Sequence, residues 1–478
     1  MRLFNSLTRK VEDVVPPTEG VIGMYTCGPT VYSTLTIGNF RTYTLADLLA
    51  RSMRYLGYNV KQVMNITDVG HLTGDNEGDA DQGDDRLEKA AATTGKTAWE
   101  ISTSYTQEFL THMEMLNIVK PEVICKATEH IPEQIELIRK LTEKGLTYQI
   151  ADGIYFDTVK YEATGNVYGE LSTLDQLNEG TRLEPNKEKK NPRDFALWKF
   201  SPKDSAKRQM EWESPWGVGF PGWHIECSAM STKYLGEQFE IHVGGEDLRS
   251  THHPNEIAQT EGATGKKPFV KYWVHGAFLL VDGGRMGKSL GNAYTVNDIK
   301  DRGVSPLALR YFYLTGHYRR QLNFTWEALK AAQTALGKLR EVVRGLKSDQ
   351  TDRTSLSEEK RQKIDDFQSR FRGAIEDDLN LPEAVAVVWE LTKSNVSNYD
   401  KLDLLREFDQ VLGLGLEQTE PVQGKAEIPA EIEQLVGQRE ELRKKRNYPE
   451  ADQLRIRIEE LGYKLEDRGG KTRAVKND

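Results

Sequence analysis

The hydrophobic positions near the N-terminus predict a strand, a helix and a second strand. Residues 21–32 begin as a short apolar run and end in a Gly-Pro turn, and residues 59–67 give a second apolar run. Between them, apolar residues recur at helical spacing: Leu45, Leu48, Leu49, Met53 and Leu56. This order predicts a β-α-β unit of a parallel sheet, in which ligands collect where the strands end.

After about residue 303 the pattern becomes helical. Each helical segment starts at a capping residue or a proline, and together the segments predict a helix bundle. These segments are residues 305–314, 325–346, 356–375 and 381–396. A link at about 416–429 precedes a last module, for which the pattern predicts two helices and a short strand.

Two stretches between the predicted β-α-β unit and the predicted helix bundle have other patterns. Residues 70–95 are acidic and rich in glycine, which predicts a solvated loop without a function of its own. Residues 153–169 alternate apolar and polar positions, which predicts a small β-rich insertion that continues to residue 200.

The composition favours a globular protein of several domains. At 478 residues the chain has room for about three domains of roughly 150 residues each. Hydrophobic residues make up 38% and charged residues 29%, and no apolar run approaches the roughly 18 residues that span a bilayer. The first 17 residues contain no apolar signal segment, so we expect a cytoplasmic protein without a membrane partner.

The cysteine content and the net charge limit the kinds of metal site and of nucleic-acid contact that the chain can form. Only Cys27, Cys125 and Cys227 occur, which excludes a disulfide framework and a four-thiolate zinc site within one chain. The net charge of −9 does not indicate nucleic-acid binding by the protein as a whole, so any RNA contact must use local patches.

Residues 251–259, THHPNEIAQ, contain a candidate metal-binding pair. His252 and Glu256 stand four apart, so on a helix both side chains could converge on one point. Pro254 is best tolerated in a first helical turn, which puts His252 at or just before the start of a helix. Two ligands alone hold zinc poorly, and a capped helix with a surface histidine explains the same residues.

Two segments that contain glycine are candidates for binding phosphate. Residues 35–39, LTIGN, precede the first helix, where backbone N–H groups and the helix dipole favour an anion and Gly38 lets it approach. Taken alone, such a glycine is more often a plain turn, and the three-glycine dinucleotide fingerprint is absent. Residues 284–292 add Lys288 and Ser289 on a loop that could place a cation on a developing pyrophosphate. Together these segments predict a nucleotide at the end of the first strand.

Seven segments, in order along the chain, resemble the cysteinyl-tRNA synthetases, which are class I aminoacyl-tRNA synthetases. They are residues 24–41, 65–69, 127–138, 194–199, 213–231, 251–259 and 285–292. The resemblance continues loosely through the helical half. It implies an α/β fold in which a Rossmann-like catalytic domain with a parallel sheet and an inserted connective domain precedes a helical bundle and a small α/β C-terminal module.

The resemblance also implies domain boundaries. The catalytic domain would span residues 1–302, with the insertion at about 110–215. A helical bundle at 303–415 and a module at 428–478 would bind the stem and the anticodon of tRNA.

Zinc in this family is held by two cysteines, a histidine and a glutamate, which correspond here to Cys27, Cys227, His252 and Glu256. One zinc ion per chain is therefore implied. Zinc takes thiolates readily, so a substrate cysteine can bind it through sulfur whereas serine cannot. Cys125 is expected to be a packed, unpaired thiol.

The implied reaction has two steps. The carboxylate of L-cysteine attacks the α-phosphorus of ATP, supplied with Mg²⁺, and a ribose hydroxyl at the 3′ end of tRNA(Cys) then takes the cysteinyl group. The resemblance implies catalytic roles for Lys288, Thr36, Asn39 and Arg285. It implies ATP contacts for Thr36, Ile37, Gly38, Asn39, Gly244, Gly245, Asp247, Met286, Lys288 and Ser289. It implies contacts with cysteine for Cys27, Thr67, Trp223, His224 and His242.

Two positions depart from the motifs of the family. Thr36 stands where the first phosphate motif usually has a histidine, and Arg285 replaces the first lysine of the signature loop. Thr36 still offers a hydroxyl donor, and Arg285 keeps a positive charge although a guanidinium is no copy of an ammonium group.

Two other functions fit part of these observations. A ligase that joins cysteine to an amino sugar would share the zinc site but would lack the half that binds tRNA. A catalytically weak paralogue would bind RNA or thiols, and the two departures keep this alternative open. The resemblance of the whole tail favours tRNA(Cys) as the partner, and we expect a monomer.

Overall fold

The computed structural model describes the chain in two compact units. The described residues are 1–18, 20–70, 72, 85–172, 186–202, 208–348, 357–418, 430–445, 447–468 and 471–476. One unit comprises Met1–Lys300 and Pro306–Glu417, and the other comprises Asp301–Ser305 and Gln418–Asp478. Residues 73–84 of the acidic segment and residues 419–429 of the link lie outside the described residues.

Strands and helices alternate in the first part of the chain, and helices dominate the later part. The strands up to residue 417 are β1 (Arg2–Asn5), β2 (Lys10–Asp13), β3 (Val21–Thr26), β4 (Asn59–Ile66), β5 (Val123–Lys126), β6 (Thr147–Ile150), β7 (Gly153–Phe156), β8 (Phe195–Phe200), β9 (Gly219–Pro221), β10 (Phe239–Gly245), β11 (Val270–Gly276), β12 (Leu279–Val281), β13 (Gly284–Arg285) and β14 (Leu322–Phe324). The α-helices are α1 (Ile37–Tyr55), α2 (Arg86–Thr94), α3 (Ala98–Met115), α4 (Ile131–Glu143), α5 (Thr158–Ala163), α6 (Trp223–Leu235), α7 (His252–Thr264), α8 (Val296–Asp301), α9 (Pro306–Leu314), α10 (Trp326–Ser348), α11 (Glu358–Glu376), α12 (Leu381–Lys393) and α13 (Asn398–Leu412).

A five-stranded parallel sheet in the order β11-β10-β3-β4-β5 forms the centre of the first unit. The predicted β-α-β unit is confirmed, because α1 connects the adjacent parallel strands β3 and β4. Every residue of β10 is buried, as expected for a parallel strand that is covered on both faces. Because β4 lies on one side of β3 and β10 on the other, the sheet has a switch point beside β3.

A four-stranded antiparallel sheet in the order β6-β7-β8-β9 lies between β5 and β10 along the chain. It has an apolar core of its own, which includes Ile138 on α4 together with Phe156, Phe195 and Trp198. The stretch where the alternating pattern predicts β structure contains β7 at its start and β8 at its end, and nearly every residue of these two strands is buried. The short helix α5 lies between them, where only β structure was predicted.

A small sheet in the order β13-β12-β14 carries the segment that contains Lys288. Strands β12 and β13 form an antiparallel hairpin, and β14 runs parallel to β12. Lys288 to Leu290 form one turn of 3-10 helix beyond the hairpin. The phosphate-binding candidate is therefore a short turn on a hairpin whose root is held by β14.

A buried ion pair connects the later helices to the central helix of the sheet. The side chain of Arg310, on α9, is 0% exposed, and its Nη2 lies 2.6 Å from Asp47 Oδ2 on α1. Arg310 also donates to the carbonyl oxygens of Leu412 and Leu116, at 2.7 and 3.1 Å. One guanidinium thus ties α9 to α1 and to the ends of α13 and α3.

The second unit contains α14 (Ala430–Lys444), α15 (Tyr448–Glu460) and a hairpin of β15 (Tyr463–Arg468) and β16 (Lys471–Lys476). Its small apolar core consists of Ile432, Leu435, Ile458 and Tyr463. The sequence predicts one strand here, whereas the structure has two. The second strand was missed because charged residues dominate its sequence, KTRAVK, and leave no apolar alternation.

None of the helices that the structure describes combines the length and the apolar character needed to cross a membrane.

We predict that Arg310→Met lowers the free energy of unfolding by about 3–5 kcal/mol, because Asp47 would remain as a buried carboxylate that has lost its closest partner. Denaturant unfolding followed by circular dichroism measures this change. Arg54→Met is the matched control, since the Arg54 and Glu122 side chains that pair are 33% and 46% exposed. The control should change stability by less than about 1 kcal/mol. An Arg310→Met effect as small as that of the control would contradict a stabilising role for the buried pair.

Candidate active site

A cavity of about 200 Å³ opens where β3, β4 and β10 end. The segment that follows β3 forms much of its wall, and Asn65 and Thr67 contribute from the end of β4. Gly245, the last residue of β10, and Asp247 also line it, and Lys288 reaches it from the hairpin turn. The cavity therefore lies at the switch point of the sheet, where open α/β folds bind their ligands.

Four potential metal ligands converge at the inner end of this cavity. Cys27 follows β3, Cys227 lies on α6, and His252 and Glu256 lie one turn apart at the start of α7. Each offers one ligand atom, and these atoms all lie within 4.8 Å of one another. The Cys27 Sγ is 3.9 Å from the Cys227 Sγ and 3.6 Å from Glu256 Oε1, which is 3.1 Å from His252 Nε2. His252 is the first residue of its helix and is 2% exposed, so it is no surface histidine.

The protonation of these four groups suits a divalent cation. Burial raises the pKa of Cys27, and the Cys27 hydrogen bond and the nearby His252 lower that of Cys227 to about 6 against the effect of burial. His242 and His252 lower the pKa of Glu256 to about 2, again against burial. Two thiol sulfurs, an imidazole nitrogen and a carboxylate oxygen form a zinc donor set, and a bound dication would take the place of the protons on Cys27 and His252.

Both histidines that the family resemblance assigns to cysteine binding lie behind these donors. His242, on β10, has its Nε2 2.9 Å from Glu256 Oε2. His224, on α6, has its Nδ1 2.9 Å from His252 Nδ1. Both rings are fully buried behind the donors and not on the cavity wall. His242 therefore orients the Glu256 carboxylate, and His224 orients the His252 ring. Each does so through an atom of the donor side chain that would not bind the metal.

A third supporting histidine, His253, was not found from the sequence. Its Nε2 is 3.4 Å from the Cys27 Sγ, and its Nδ1 is 2.8 Å from His275 Nε2. His275 in turn lies 2.8 Å from the Ser6 hydroxyl. The two adjacent histidines, His252 and His253, were the signal in the sequence that could have indicated this role. Helical spacing alone does not show which of the two rings faces Cys27.

A second group of donors overlaps with the first. Cys27, His242, His253 and Glu256 also offer ligand atoms within 4.8 Å of one another. Because the two groups share Cys27 and Glu256, they cannot each hold an ion. The group with two sulfurs suits zinc better.

The turn at the start of α1 lies at the outer end of the cavity. Thr36 donates to Asn39 Oδ1 through its backbone N–H at 3.0 Å and through its hydroxyl at 2.8 Å, and both residues line the cavity. Met286 packs on Gly38, since a Cβ at Gly38 would lie 3.4 Å from the Met286 sulfur. The loop that carries Lys288 therefore packs directly against the start of α1.

Lys288 points toward the same end of the cavity. Its Nζ donates to the Ser33 hydroxyl at 2.6 Å and lies 5.3 Å from the centre of the Tyr32 ring. The guanidinium of Arg86 lies 5.0 Å from the same ring. Partial burial and the repulsion from Arg86 lower the pKa of Lys288. The ammonium group is thus held beside the cavity by a hydroxyl and an aromatic face, neither of which neutralises its charge.

The remaining predicted residues divide between the cavity wall and its surroundings. Trp223, Thr67 and Asp247 are on the wall, whereas Arg285 and Ser289 are exposed on the hairpin and its turn. Gly244 has no room for a side chain, because a Cβ there would lie 2.4 Å from a ring carbon of His253. The glycine is required for the close approach of β10 to α7.

Comparison with protein families decides where the chain belongs. Residues 13–334 match the model of the tRNA synthetases class I (C) catalytic domain. Residues 425–473 match the model of the cysteinyl-tRNA ligase anticodon binding domain. The chain belongs to the cysteinyl-tRNA synthetase family.

Members of the cysteinyl-tRNA synthetase family are similar to the chain over nearly its whole length. It is 45% identical to Cysteine--tRNA ligase 1 of Burkholderia lata, over 98% of this chain and 95% of that protein. It is 42% identical to the Cysteine--tRNA ligase of Treponema denticola, over 99% of each protein. The Cysteine--tRNA ligase of Thermococcus onnurineus is 38% identical, over 98% of this chain and 97% of that protein.

Solved structures agree on the fold of this class I family. The methionyl-tRNA synthetase of Mycobacterium tuberculosis, in complex with methionyl-adenylate, aligns with a TM-score of 0.55 at 16% identity. The alignment covers 82% of this chain and 88% of that protein. The Rossmann-like class I architecture expected from the sequence is therefore confirmed.

We predict that purified protein binds one zinc ion per chain and that Cys227→Ala loses it, because a single thiolate with two harder ligands holds zinc much more weakly. Atomic absorption or a colorimetric zinc assay measures the metal content. Cys125→Ala is the matched control, since Cys125 is also a buried thiol but donates to the Met64 carbonyl on the neighbouring strand. Full zinc occupancy in both Cys27→Ala and Cys227→Ala would disprove the metal assignment.

Proposed function

We propose that this chain is a cysteine--tRNA ligase that activates L-cysteine with ATP and transfers the cysteinyl group to tRNA(Cys). The observation that carries the proposal is the presence, within one cavity, of a two-thiolate donor set, the Thr36 turn and the Lys288 ammonium group. Family membership over both the catalytic and the anticodon-binding regions supports the same reaction. Cysteine-dependent exchange of pyrophosphate into ATP, followed by charging of tRNA(Cys), tests it.

Recognition of cysteine would depend on zinc held by Cys27, Cys227, His252 and Glu256. When bound, zinc supplies a soft acceptor for the thiolate of the substrate, which a serine hydroxyl cannot match. A pocket that discriminates by size alone separates such similar side chains by only about 1–3 kcal/mol. Trp223 and Thr67 line the cavity next to the donors, so they would contact the substrate cysteine.

In the first step the cysteine carboxylate would attack the α-phosphorus of ATP. A bond forms between a carboxylate oxygen of cysteine and the α-phosphorus. The bond between the α-phosphorus and the oxygen that bridges to the β-phosphate breaks, and pyrophosphate leaves with that electron pair. No enzyme nucleophile is required, so catalysis rests on positioning and on stabilising the charge of the leaving group. The start of α1, with Thr36 and Asn39, would bind the phosphates, and Gly245 and Asp247 would lie near the ribose.

The second step would use tRNA bound by the helical and C-terminal parts of the chain. The match of residues 425–473 to an anticodon-binding domain favours a tRNA substrate over an amino sugar. We further propose that the protein acts as a cytoplasmic monomer that uses ATP with Mg²⁺. A sedimentation or light-scattering mass near 54.3 kDa supports the monomer, and twice that mass contradicts it.

We predict that Lys288→Ala lowers the rate of adenylate formation by about 10²–10³, with a much smaller change in ATP affinity, because charge develops on the leaving pyrophosphate only in the transition state. Single-turnover kinetics with saturating cysteine and ATP measure the rate. Arg285→Ala serves as the matched control on the same hairpin and should cost less, because Lys288 lines the cavity and Arg285 does not. A Lys288→Ala rate within about twofold of wild type, below ~0.5 kcal/mol of barrier, would remove the lysine from catalysis and favour the catalytically weak paralogue.

We also predict that a chain ending at residue 417 keeps adenylate formation and loses most charging of tRNA(Cys), because it retains the cavity but lacks the anticodon-binding module. Pyrophosphate exchange and tRNA charging are measured on the same preparation. A chain ending at residue 300 is the contrasting variant. It lacks α9 and α13, which pack on α1, and should fail to fold because the buried face of α1 would be exposed to water. Undiminished charging by the chain that ends at 417 would show that the module has another role.

A further inference from the structure

Arg41 lies on α1, two residues after Asn39, and its side chain is buried among backbone carbonyl groups. Its Nη1 donates to the carbonyl oxygens of Ala277 and Phe278, at 2.6 and 2.7 Å. Its Nη2 donates to the carbonyl oxygen of Arg320 at 2.6 Å and to that of His317 at 3.4 Å. A single guanidinium therefore binds four carbonyl groups from two separate segments.

These two segments form the root of the small sheet that carries Lys288. Ala277 and Phe278 immediately precede β12, and Arg320 lies just before β14. The segments pair with each other on either side of the guanidinium, through Ala277 N–H to the Tyr318 carbonyl and Leu322 N–H to the Phe278 carbonyl. Arg41 thus joins α1 to the point from which the hairpin extends.

Burying a guanidinium against neutral acceptors is an uncommon arrangement. Within the part of the chain that the structure describes, no carboxylate lies close enough to form an ion pair with Arg41. Burial lowers the pKa of Arg41 to about 10, which leaves the group charged at neutral pH. Its planar fork can satisfy four carbonyl groups at once, whereas a lysine ammonium offers three donors from one point.

Further contacts join α1 to the signature loop, residues 284–292, which the hairpin carries. Ile37 donates its backbone N–H to the Tyr294 carbonyl at 2.8 Å, where the chain leaves the signature loop. Met286, in the middle of the loop, packs on Gly38. The first turns of α1 therefore contact the entry, the middle and the exit of the loop, and Arg41 is the contact at the entry.

We propose that Arg41 is a positioning residue for adenylate formation, which holds the root of the Lys288 hairpin against the helix that begins with the phosphate-binding turn. This inference rests on the proposed function, because it acts through Lys288. With the root fixed, the lysine ammonium and the Thr36 turn keep their relative position while negative charge grows on the pyrophosphate. Without it, the hairpin could shift as a unit and carry the ammonium out of reach.

The test compares Arg41→Met in wild type and in Lys288→Ala by single-turnover adenylate formation. In wild type the variant should react about 10²-fold more slowly, the loss expected when a catalytic group is displaced by about 1 Å, with ATP affinity changed less than about threefold. In the Lys288→Ala background the same change should slow the reaction by less than about threefold, because the group that Arg41 positions is already gone. Equal losses in both backgrounds, or a wild-type-like Arg41→Met, would overturn the inference.

Arg41→Lys keeps the positive charge and covers the case in which Arg41→Met does not fold. It should lower the rate by about tenfold in wild type and show the same dependence on Lys288, since it can satisfy only part of the carbonyl set. Losses that are equal in the two backgrounds would overturn the inference for this variant as well.

Arg51→Met is the matched control, because Arg51 lies on the same helix and donates to the carbonyl groups of Gln410 and Asn117 outside the loop. It should lower stability and leave the adenylation rate within about twofold in both backgrounds. A loss that depends on Lys288 in this control too would overturn the specific role of Arg41.

The outcomes separate this inference from the function on which it rests. Absence of cysteine-dependent pyrophosphate exchange in the wild-type chain would end the proposed function. If Lys288→Ala is slow but Arg41→Met slows adenylate formation equally in both backgrounds, the inference about Arg41 is wrong and the proposed function stands.

Discussion

The site depends on one constraint, which is that four buried donors from distant parts of the chain must meet at a single point. Cys27 comes from the end of β3 and Cys227 lies 200 residues later, and both are almost completely buried. Charged or polar groups in such a place are stable only when they have partners, so the packing of α6 and α7 against the parallel sheet has to be accurate. The histidines behind the donors serve this requirement, because each fixes the direction of one of them.

The elements could be predicted from the sequence wherever one periodicity dominated. The β-α-β unit and the helical half have regular apolar spacing, and the structure confirms both. Two of the four potential metal ligands did not follow from local pattern. Cys27 and Cys227 are ordinary small residues in their own segments, and only the family resemblance brought them together with His252. Spacing alone favoured a capped helix with a surface histidine, because burial depends on which elements pack over a helix and the sequence pattern does not show this.

The contacts of Arg41 and Arg310 could not be predicted from the sequence for a different reason. Their acceptors include backbone carbonyl groups, which every residue carries, so no side-chain signature marks them. Arg41 lies on α1 and Arg310 binds Asp47 of the same helix, which begins with the turn that lines the cavity. The helix is therefore the common support of the phosphate turn, of the Lys288 hairpin and of the later helices.

The use of carbonyl acceptors by Arg41 has a consequence for how this part of the sequence can change during evolution. Because the guanidinium binds the backbone at residues 277, 278, 317 and 320, the side chains at these positions contribute nothing to the four hydrogen bonds. At the exposed positions 278 and 320, substitutions can therefore accumulate through neutral drift as long as the backbone path is kept, whereas Ala277 is buried and His317 contacts Asp378. The same independence makes the root of the hairpin a suitable place for engineered surface changes, since Phe278 is already 48% exposed and its carbonyl would remain in place.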